Sequence, residues 1–189
     1  FTTLPIYPPE SHVKGILVNE RGQRFVNEDA YPGRIAVHCT RQVGDRIFLL
    51  VDHAIFEQPT ALSRIEVAAV GESWEEIERE LGMVEGTLVH TVAVHNRHAA
   101  KGQDPLFHKG ANWLKPLDEP PFAAHACHLG QDFCPYFTLG GLHTRPRGEV
   151  LTPEGDAIAG LYAAGRTCCG LPRSAEFYSS GMSLADCTF

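Results

Sequence analysis

The 189 residues are enough for one sizeable domain or a large piece of a longer protein, and 43% hydrophobic with 21% charged residues is typical of a chain that buries a core. The net charge of −7 argues against nucleic acid or an anionic membrane as a partner. No apolar run approaches the roughly 18 residues of a transmembrane helix, and six irregularly spaced cysteines favour reduced thiols in the cytoplasm.

The first predicted elements are extended. Residues 1–12 are rich in proline and favour an extended segment. Two short apolar runs, 16–18 and 25–26, lie on either side of Gly22 and predict a β-hairpin with this glycine in its turn. The continuous apolar run at 45–52 suits a buried strand.

Two helices are predicted next. Ser73 is a candidate N-cap because Glu76 follows three residues later, and Gly82 suits the left-handed position that ends a helix. Residues 85–102 form the second candidate helix, which Gly102 closes. Its apolar residues recur roughly on one face: Leu88, Val92 and Ala99.

The rest of the chain is predicted to consist of loop and strand. Residues 103–121 hold four prolines and indicate a long connecting loop. The segments "PFAAHACHLG" and "TLGGLHTRPRGEVLTPEGDAIAGLYAAG" predict further strands. Because the helical stretch at 74–100 is flanked by strands on both sides, we expect an α+β fold with one inserted, mostly helical lobe. The glycine-rich pieces lack the Gly-x-Gly-x-x-Gly spacing of a Rossmann fingerprint.

Taken in order, the motifs resemble those of the FAD-dependent superfamily of fumarate reductases, succinate dehydrogenases and 3-ketosteroid dehydrogenases. They are "GILVNERGQRFVNE", "GESWEEIERELG", "TVAVHNRHAAKGQDPLF", "PPFAA", "TLGGL", "GLYAAG" and "SGMSLADCTF". The resemblance implies the capping domain of such a flavoprotein plus the returning β-strands and helix of its FAD-binding domain, with the Rossmann half missing. It implies an FAD-domain segment at 1–30, a capping domain at 31–120 and the returning FAD-domain part at 121–189.

The same resemblance implies FAD as the cofactor. In the family, the segment matching "GLYAAG" runs beside the flavin, and the helix that begins within "SGMSLAD" directs backbone amides at its ring. Small residues let a backbone approach the ring closely, and a helix N-terminus stabilises negative charge on reduced flavin. The implied cofactor-binding residues are Ala164, Gly165, Arg166, Ser183 and Leu184, although Arg166 stands where the family commonly has glutamate.

The resemblance also bears on the substrate. Fumarate reductases hold two carboxylates with cations, but Phe137 stands where that branch has histidine, and Tyr178 lies near the position of its arginine. The proton-donating arginine of that branch aligns nearest Pro32, with Arg34 two positions away. Tyr31 and the Tyr-x-Ser step at 178 instead resemble 3-ketosteroid dehydrogenases of the Δ4-(5α) type, which implies an apolar ketone substrate and a role in steroid metabolism.

Dehydrogenation next to a ketone requires a donor to the carbonyl, a base for the adjacent proton and a hydride acceptor. The resemblance assigns Tyr178, with a backbone amide near Gly181, to the ketone, and Tyr31 with Ser180 to the proton, and the two roles are interchangeable at this point. Phe137 and Gly181 are the implied substrate-binding residues. Either tyrosine taken alone also suits a packing role, and Ser180 a helix cap.

The remaining clusters predict no metal site. The spacing of His125, Cys127, His128 and Cys134 is not that of a common zinc site, and a strand would point His128 away from the first two. Further expectations are a solvated or interdomain surface for His90, His95 and His98 and a structural role for Glu28. Trp74 is expected to pack onto a partner domain, with the lining of a substrate entrance as the alternative.

We therefore expect a fragment of a cytoplasmic FAD-dependent dehydrogenase whose partner is its N-terminal FAD-binding half. Two alternatives stay open, a fumarate reductase-like flavoprotein that acts on a dicarboxylate and a non-catalytic interaction fragment. Apolar surface on residues 138–189 would favour a homodimer of the isolated chain, with weak or absent FAD binding and no turnover.

Overall fold

A computed structural model of the chain describes residues 10–58, 65–127, 139–170, 174, 178 and 181–188. The chain divides into two compact units, residues 1–134 and residues 135–189. α-Helices and antiparallel strands occur together, which confirms the mixed α+β class. Within these described stretches, no helix combines the length and the hydropathy needed to cross a lipid bilayer.

An antiparallel sheet organises the first unit. Its described strands are β1 (Ile16–Asn19), β2 (Ile47–Val51), β3 (Glu66–Gly71) and β4 (Phe122–Ala126). They lie in the order β1-β2-β4-β3, so the last of these four strands in the sequence lies between the two that precede it. His125 of β4 pairs with Leu49 of β2 on one side and with Val67 of β3 on the other.

Strand β2 lies at the centre of the hydrophobic core. All five of its residues are buried, as expected of a continuous apolar run. Phe48, Leu49 and Leu50 are each no more than 1% exposed. Burial of such a side chain contributes about 1.5–3 kcal/mol, so this short strand supplies a large share of the stability of unit 1.

Four helices are described in unit 1: α1 (Glu10–Lys14), α2 (Pro32–Thr40), α3 (Trp74–Glu80) and α4 (Thr87–Ala99). Helix α3 begins as predicted, because the Ser73 hydroxyl accepts a hydrogen bond from the Glu76 amide at 3.3 Å. Gly82, at φ +68°, follows the helix as expected. Helix α4 buries the predicted face, and His95 is buried with it.

The long connection at 103–121 contains no helix or strand, as predicted. Its far end is fixed to α4, because the Asn96 carboxamide donates to the Leu117 carbonyl at 2.9 Å and accepts from the Leu117 amide at 2.8 Å. The Trp74 indole donates to the same carbonyl at 3.3 Å and stacks on Phe122. Trp74 therefore packs in the core of unit 1 rather than on a partner domain.

The second unit contains an antiparallel pair, β5 (Glu149–Leu151) and β6 (Ala157–Tyr162). Leu142 runs parallel to Cys168 and joins it through two backbone hydrogen bonds, from the Leu142 amide to Thr167 at 2.8 Å and from the Cys169 amide to Leu142 at 2.9 Å. A 3₁₀ helix (Gly165–Thr167) and α5 (Met182–Thr188) complete the described part.

The predicted hairpin at 16–26 is only partly formed. Val18 bridges Arg24, but the second strand does not continue. The reason lies with Glu28, because its carboxylate, and not a backbone carbonyl, accepts the hydrogen bond of the Leu17 amide at 2.9 Å. A side chain thus replaces part of the second strand.

Candidate functional site

The residues expected to bind the cofactor lie in the second unit. Ala164 is extended and precedes the 3₁₀ helix that contains Gly165 and Arg166. Gly165 has φ +70°, a conformation that favours glycine. Helix α5, which includes Ser183 and Leu184, packs against this 3₁₀ helix. The structure therefore brings together two segments that were assigned to the same cofactor.

The exposed face of this region suits a flat aromatic cofactor. Ala164 and Gly181 are exposed, and Leu184 is 77% exposed. Gly181 has φ +89°, and a Cβ added there would meet nothing within 4 Å. Open backbone beside an exposed leucine leaves room for a planar ring against main chain and apolar surface, so the residues present fit FAD.

A close backbone approach explains one glycine of the predicted "TLGGL" motif. A Cβ at Gly141 would overlap the backbone of Cys168, so no other residue fits there without a shift. This contact lets the Leu142 segment run directly beside the chain that leaves the 3₁₀ helix. The glycine therefore shapes the expected cofactor region even though it forms no recognised phosphate-binding motif.

The predicted substrate residues are distributed over both units. Tyr31, half-buried in unit 1, is the N-cap residue of α2, and its carbonyl accepts from the Arg34 amide at 2.8 Å. Tyr178 belongs to unit 2 and is also half-buried. Ser180, Phe137 and the side chain of Ser183 lie outside the described residues. The catalytic and substrate-binding assignments therefore remain predictions.

Sequence reasoning missed a buried ion cluster in unit 1, formed by Arg24, Glu28, Asp104 and Lys109. Glu28 is 3% exposed and accepts two hydrogen bonds from Arg24, at 2.9 and 2.6 Å. Lys109 lies 3.3 Å from the same carboxylate, and Arg24 also reaches Asp104 at 2.9 Å. The four-residue spacing of Arg24 and Glu28 was the one local signal, because Asp104 and Lys109 come much later in the chain.

The charges of this cluster adjust to their burial. Burial on its own raises the pKa of Asp104, but the hydrogen bond and charge of Arg24 outweigh it, and the pKa lies below its ordinary value. Burial lowers the pKa of Lys109, with the attraction of Glu28 opposing it. Because Lys109 also donates to the Gly15 carbonyl at 2.5 Å, the cluster joins the start of β1 to the loop after α4.

A cleft of about 370 Å³ opens beside the ion cluster. Arg24 forms part of its lining and stacks over Phe107 at 4.6 Å from the ring centroid. Of the residues that the structure describes, none predicted for the cofactor or the substrate lines this cleft.

Three histidines of unit 1 are kept neutral by burial. Burial, followed by the proximity of His125, lowers the pKa of His12 from 6.5 to about 4. Burial also lowers the pKa of His125, whose ring meets Phe56 edge-on at 5.4 Å. The pKa of His95 is lowered for the same reason, and its Nε2 lies 2.8 Å from the Lys115 carbonyl oxygen. His95 is thus a core residue, not the surface residue that was expected.

The described part of the chain offers a different metal-ligand group from the one considered in the sequence. Asp52, Asp118 and Glu119 place carboxylate oxygens within 4.8 Å of one another, and neither His125 nor Cys127 belongs to this group. The other two members of the histidine and cysteine pattern, His128 and Cys134, fall outside the described residues. Cys168, Cys169 and Cys187 form no disulfide with one another.

Comparison with known proteins gives a family and several relatives. Residues 13–176 match the model of a family described as an FAD binding domain. Among solved structures, the chain is similar to 3-ketosteroid-delta4-(5alpha)-dehydrogenase from Rhodococcus jostii RHA1, with 41% sequence identity, a TM-score of 0.79 and coverage of 97% of this chain and 38% of that one.

Two curated relatives are more distant. NADH:acrylate oxidoreductase of Vibrio harveyi is 30% identical over 88% of this chain and 16% of its own length. Fumarate reductase (cytochrome) of Shewanella frigidimarina is 27% identical over 82% of this chain and 27% of its own length. The chain thus spans less than two fifths of the length of each of these three proteins.

Proposed function

The chain belongs to this FAD binding domain family, and from that premise we propose that it is part of an FAD-dependent dehydrogenase acting on a CH–CH bond next to a ketone. The substrate is a 3-ketosteroid or a similarly apolar cyclic ketone. The observation that carries this proposal is the 41% identity, over 97% of the chain, to the Rhodococcus 3-ketosteroid dehydrogenase. The proposed organisation is an FAD-domain segment at 1–30, a capping domain at 31–120 and the returning FAD-domain part at 121–189.

The cofactor side of the proposal rests on unit 2. Ala164, Gly165 and Arg166 would hold FAD together with Ser183 and Leu184 of α5, the helix that packs against the 3₁₀ helix. FAD, when bound, supplies the acceptor for the hydride removed from the substrate. The residues of this chain provide the open backbone and the apolar contact that position the ring.

The substrate side uses neutral donors. Tyr178, with the backbone amide near Gly181, donates to the ketone oxygen and so makes the neighbouring C–H more acidic. Tyr31 with Ser180 relays the proton that leaves, each hydroxyl passing its own proton on as it receives one, so that the proton ends in solvent. Phe137 and Gly181 contact the apolar ring. Phenols suit these roles because an uncharged donor polarises a ketone without the desolvation cost of burying a charge.

A dicarboxylate is the second candidate substrate, and the 27% identity to the Shewanella fumarate reductase supports it. Two carboxylates require cations to hold them. Pro32, which aligns with the proton-donating arginine of that branch, is instead the first residue of α2 and supplies no charge. Since Phe137 and Tyr178 also replace cationic or ionisable groups, the ketone is favoured.

The decisive experiment uses FAD-loaded protein that contains this chain, under anaerobic conditions. A saturated 3-ketosteroid should bleach the visible absorbance of the oxidised flavin, because the flavin accepts the hydride. Reoxidation of the reduced protein by fumarate, without bleaching by the steroid, would instead establish the dicarboxylate reading. If this chain retains no flavin even when it is joined to the N-terminal FAD-binding half of the family, the result would support a non-catalytic role for the chain.

Tyr178→Phe should lower the rate of steroid-dependent bleaching by about 100-fold, because the ketone loses its hydrogen-bond donor. The flavin content should not change. Tyr7→Phe is the matched control, since Tyr7 lies outside residues 13–176 that match the family and has no proposed role. An unchanged rate in Tyr178→Phe would remove this residue from the mechanism.

A further inference from the structure

Three carboxylates from distant parts of the chain meet at one edge of unit 1. Asp52 immediately follows β2, and Asp118 and Glu119 precede β4. The two segments are joined locally, because the Glu119 amide donates to Asp52 Oδ2 at 3.3 Å and the His53 amide donates to the Glu119 carbonyl at 2.9 Å. The three side chains place one oxygen each within 4.8 Å of the others.

Asp52 supplies the observation that points to a ligand. The residue is fully buried, at 0% exposure, yet its Oδ1 has no hydrogen-bond partner among the described residues. A buried carboxylate oxygen without a donor is costly, since it has lost water and gained nothing in return. A cation that bridges Asp52 to the two exposed carboxylates would satisfy this oxygen.

Lys115 neutralises the group only in part. Its Nζ lies 3.7 Å from Asp52 Oδ2 and 3.5 Å from Glu119 Oε1, with the ammonium side chain 31% exposed. One positive charge faces three negative charges, and both contacts are longer than the usual charge-assisted hydrogen bond. The three carboxylates therefore keep an excess of negative charge, and the partly exposed Lys115 side chain can move into solvent when a cation binds.

We propose that Asp52, Asp118 and Glu119 form a binding site for a hard divalent cation, with Ca²⁺ as the ion that fits best. Ca²⁺ accepts six to eight oxygen ligands in a flexible geometry, whereas Mg²⁺ demands a nearly ideal octahedron, so carboxylates on two separate loops suit Ca²⁺ better. Bound Ca²⁺ takes the place of the Lys115 ammonium and connects the end of β2 to the start of β4.

The test is a calorimetric titration of the 189-residue chain with CaCl₂ in metal-free buffer. We expect one Ca²⁺ per chain, with a dissociation constant of roughly 10⁻⁴ to 10⁻³ M because two of the three ligands are exposed. Asp118→Asn and Glu119→Gln should each weaken binding by about tenfold or more, since each removes one charged ligand. Glu57→Gln, at another exposed position, is the matched control and should bind as the unaltered chain does.

Lys115→Gln provides a second arm, in which removal of the competing ammonium should tighten Ca²⁺ binding about threefold or more. Unchanged or weaker binding in this variant would overturn the idea that the ion replaces Lys115. The site itself would be refuted by the absence of binding at about 10 mM Ca²⁺, an upper limit for weak protein sites. Full affinity in both Asp118→Asn and Glu119→Gln, or tighter binding of Mg²⁺ than of Ca²⁺, would refute it too.

Discussion

The buried Glu28 carboxylate binds groups from three separate segments of unit 1. Its carboxylate accepts from the Leu17 amide and from Arg24, and it lies 3.3 Å from the Lys109 ammonium. Two cations thus share this buried anion, and Arg24 has Asp104 as a second partner at 2.9 Å. The residue connects β1, the turn after it and the loop beyond α4.

Glu28→Gln should lower the free energy of unfolding by about 3–5 kcal/mol, because it leaves Arg24 and Lys109 buried without their shared counter-ion. Urea unfolding of the chain followed by tryptophan fluorescence measures the change. Glu57→Gln is the control, since Glu57 is exposed and the expected effect is within about 0.5 kcal/mol. A loss below about 1 kcal/mol in Glu28→Gln would show that the network does not support the fold.

The buried histidines predict a fall in stability on mild acidification. The pKa values of His12, His95 and His125 are lowered in the folded state, that of His12 to about 4. At a pH below 6.5, the ordinary pKa of histidine, the unfolded chain therefore binds more protons than the folded chain. The free energy of unfolding should therefore be level above pH 6.5 and fall between 6.5 and about 4. The slope is at most about 1.4 kcal/mol per pH unit for each histidine.

Urea unfolding at several values between pH 7 and pH 4.5 measures this slope, and His12→Gln should reduce it. His53→Gln, at an exposed position, should not. Asp104 acts in a different range, because its lowered pKa contributes stability that is lost only as the pH falls below its ordinary value of 3.8. A flat profile down to pH 4.5 would contradict the burial of these rings.

At the level of elements, Glu78 joins two helices. This buried residue of α3 accepts hydrogen bonds from the amides of Gly86 and Leu88, both at 2.6 Å. These amides belong to the beginning of α4, whose N-cap residue, Gly86, has no side chain to cap the helix. A carboxylate at that end also interacts favourably with the helix dipole.

Glu78→Gln should destabilise the chain by about 1–3 kcal/mol, because the first turn of α4 loses charge-assisted hydrogen bonds. Thermal unfolding monitored by circular dichroism is a suitable measurement. Glu75→Gln on the exposed side of the same helix serves as the comparison, with an expected change within about 0.5 kcal/mol. Equal effects of the two substitutions would argue against this capping role.

Local signals explain which elements could be predicted from the sequence. Helix α3 was predicted because its N-cap, its acidic first turn and its terminal glycine are adjacent in sequence. Helices α1 and α2 and strand β3 were not predicted, and α1 places residues 10–12, which were expected to be extended, in a helix. The first turn of α2 has no acidic residue, and the helix begins directly at Pro32. Strand β3 is stabilised by pairing with β4, which comes much later in the chain, so its own sequence carries little signal.

The candidate site was predictable to a similar degree. The cofactor segments around Gly165 and Leu184 were inferred from motif order, and the structure brings them together. The Arg24 cluster and the Asp52 carboxylate group escaped prediction, because their members lie far apart in sequence and only folding brings them into contact. Charged residues at such distances leave no periodic pattern.

On the scale of the whole molecule, unit 2 presents an apolar strand to solvent. All six residues of β6 are exposed, and Ile158, Leu161 and Tyr162 are between 40% and 65% exposed. Exposed apolar strands favour association with another chain. The isolated chain therefore offers this surface to a second copy of itself.

The isolated chain should therefore dimerise, and Leu161→Glu should weaken the dimer by about tenfold or more, or 1.4 kcal/mol, by placing a charge in an apolar contact. Sedimentation equilibrium measures the dissociation constant. Val84→Glu is the matched control, because Val84 is 73% exposed in unit 1. A monomer at all concentrations, or equal weakening by both substitutions, would contradict a dimer through β6.

The strand order of unit 1 has a consequence for synthesis on the ribosome. Strand β4 separates β2 from β3 in the sheet, although both are made before it. Until β4 (Phe122–Ala126) has emerged, the nascent polypeptide contains β2 and β3 but not the strand that pairs with both of them. Closure of the sheet is therefore a late event in synthesis, and the edges that β2 and β3 present to β4 stay unpaired until then.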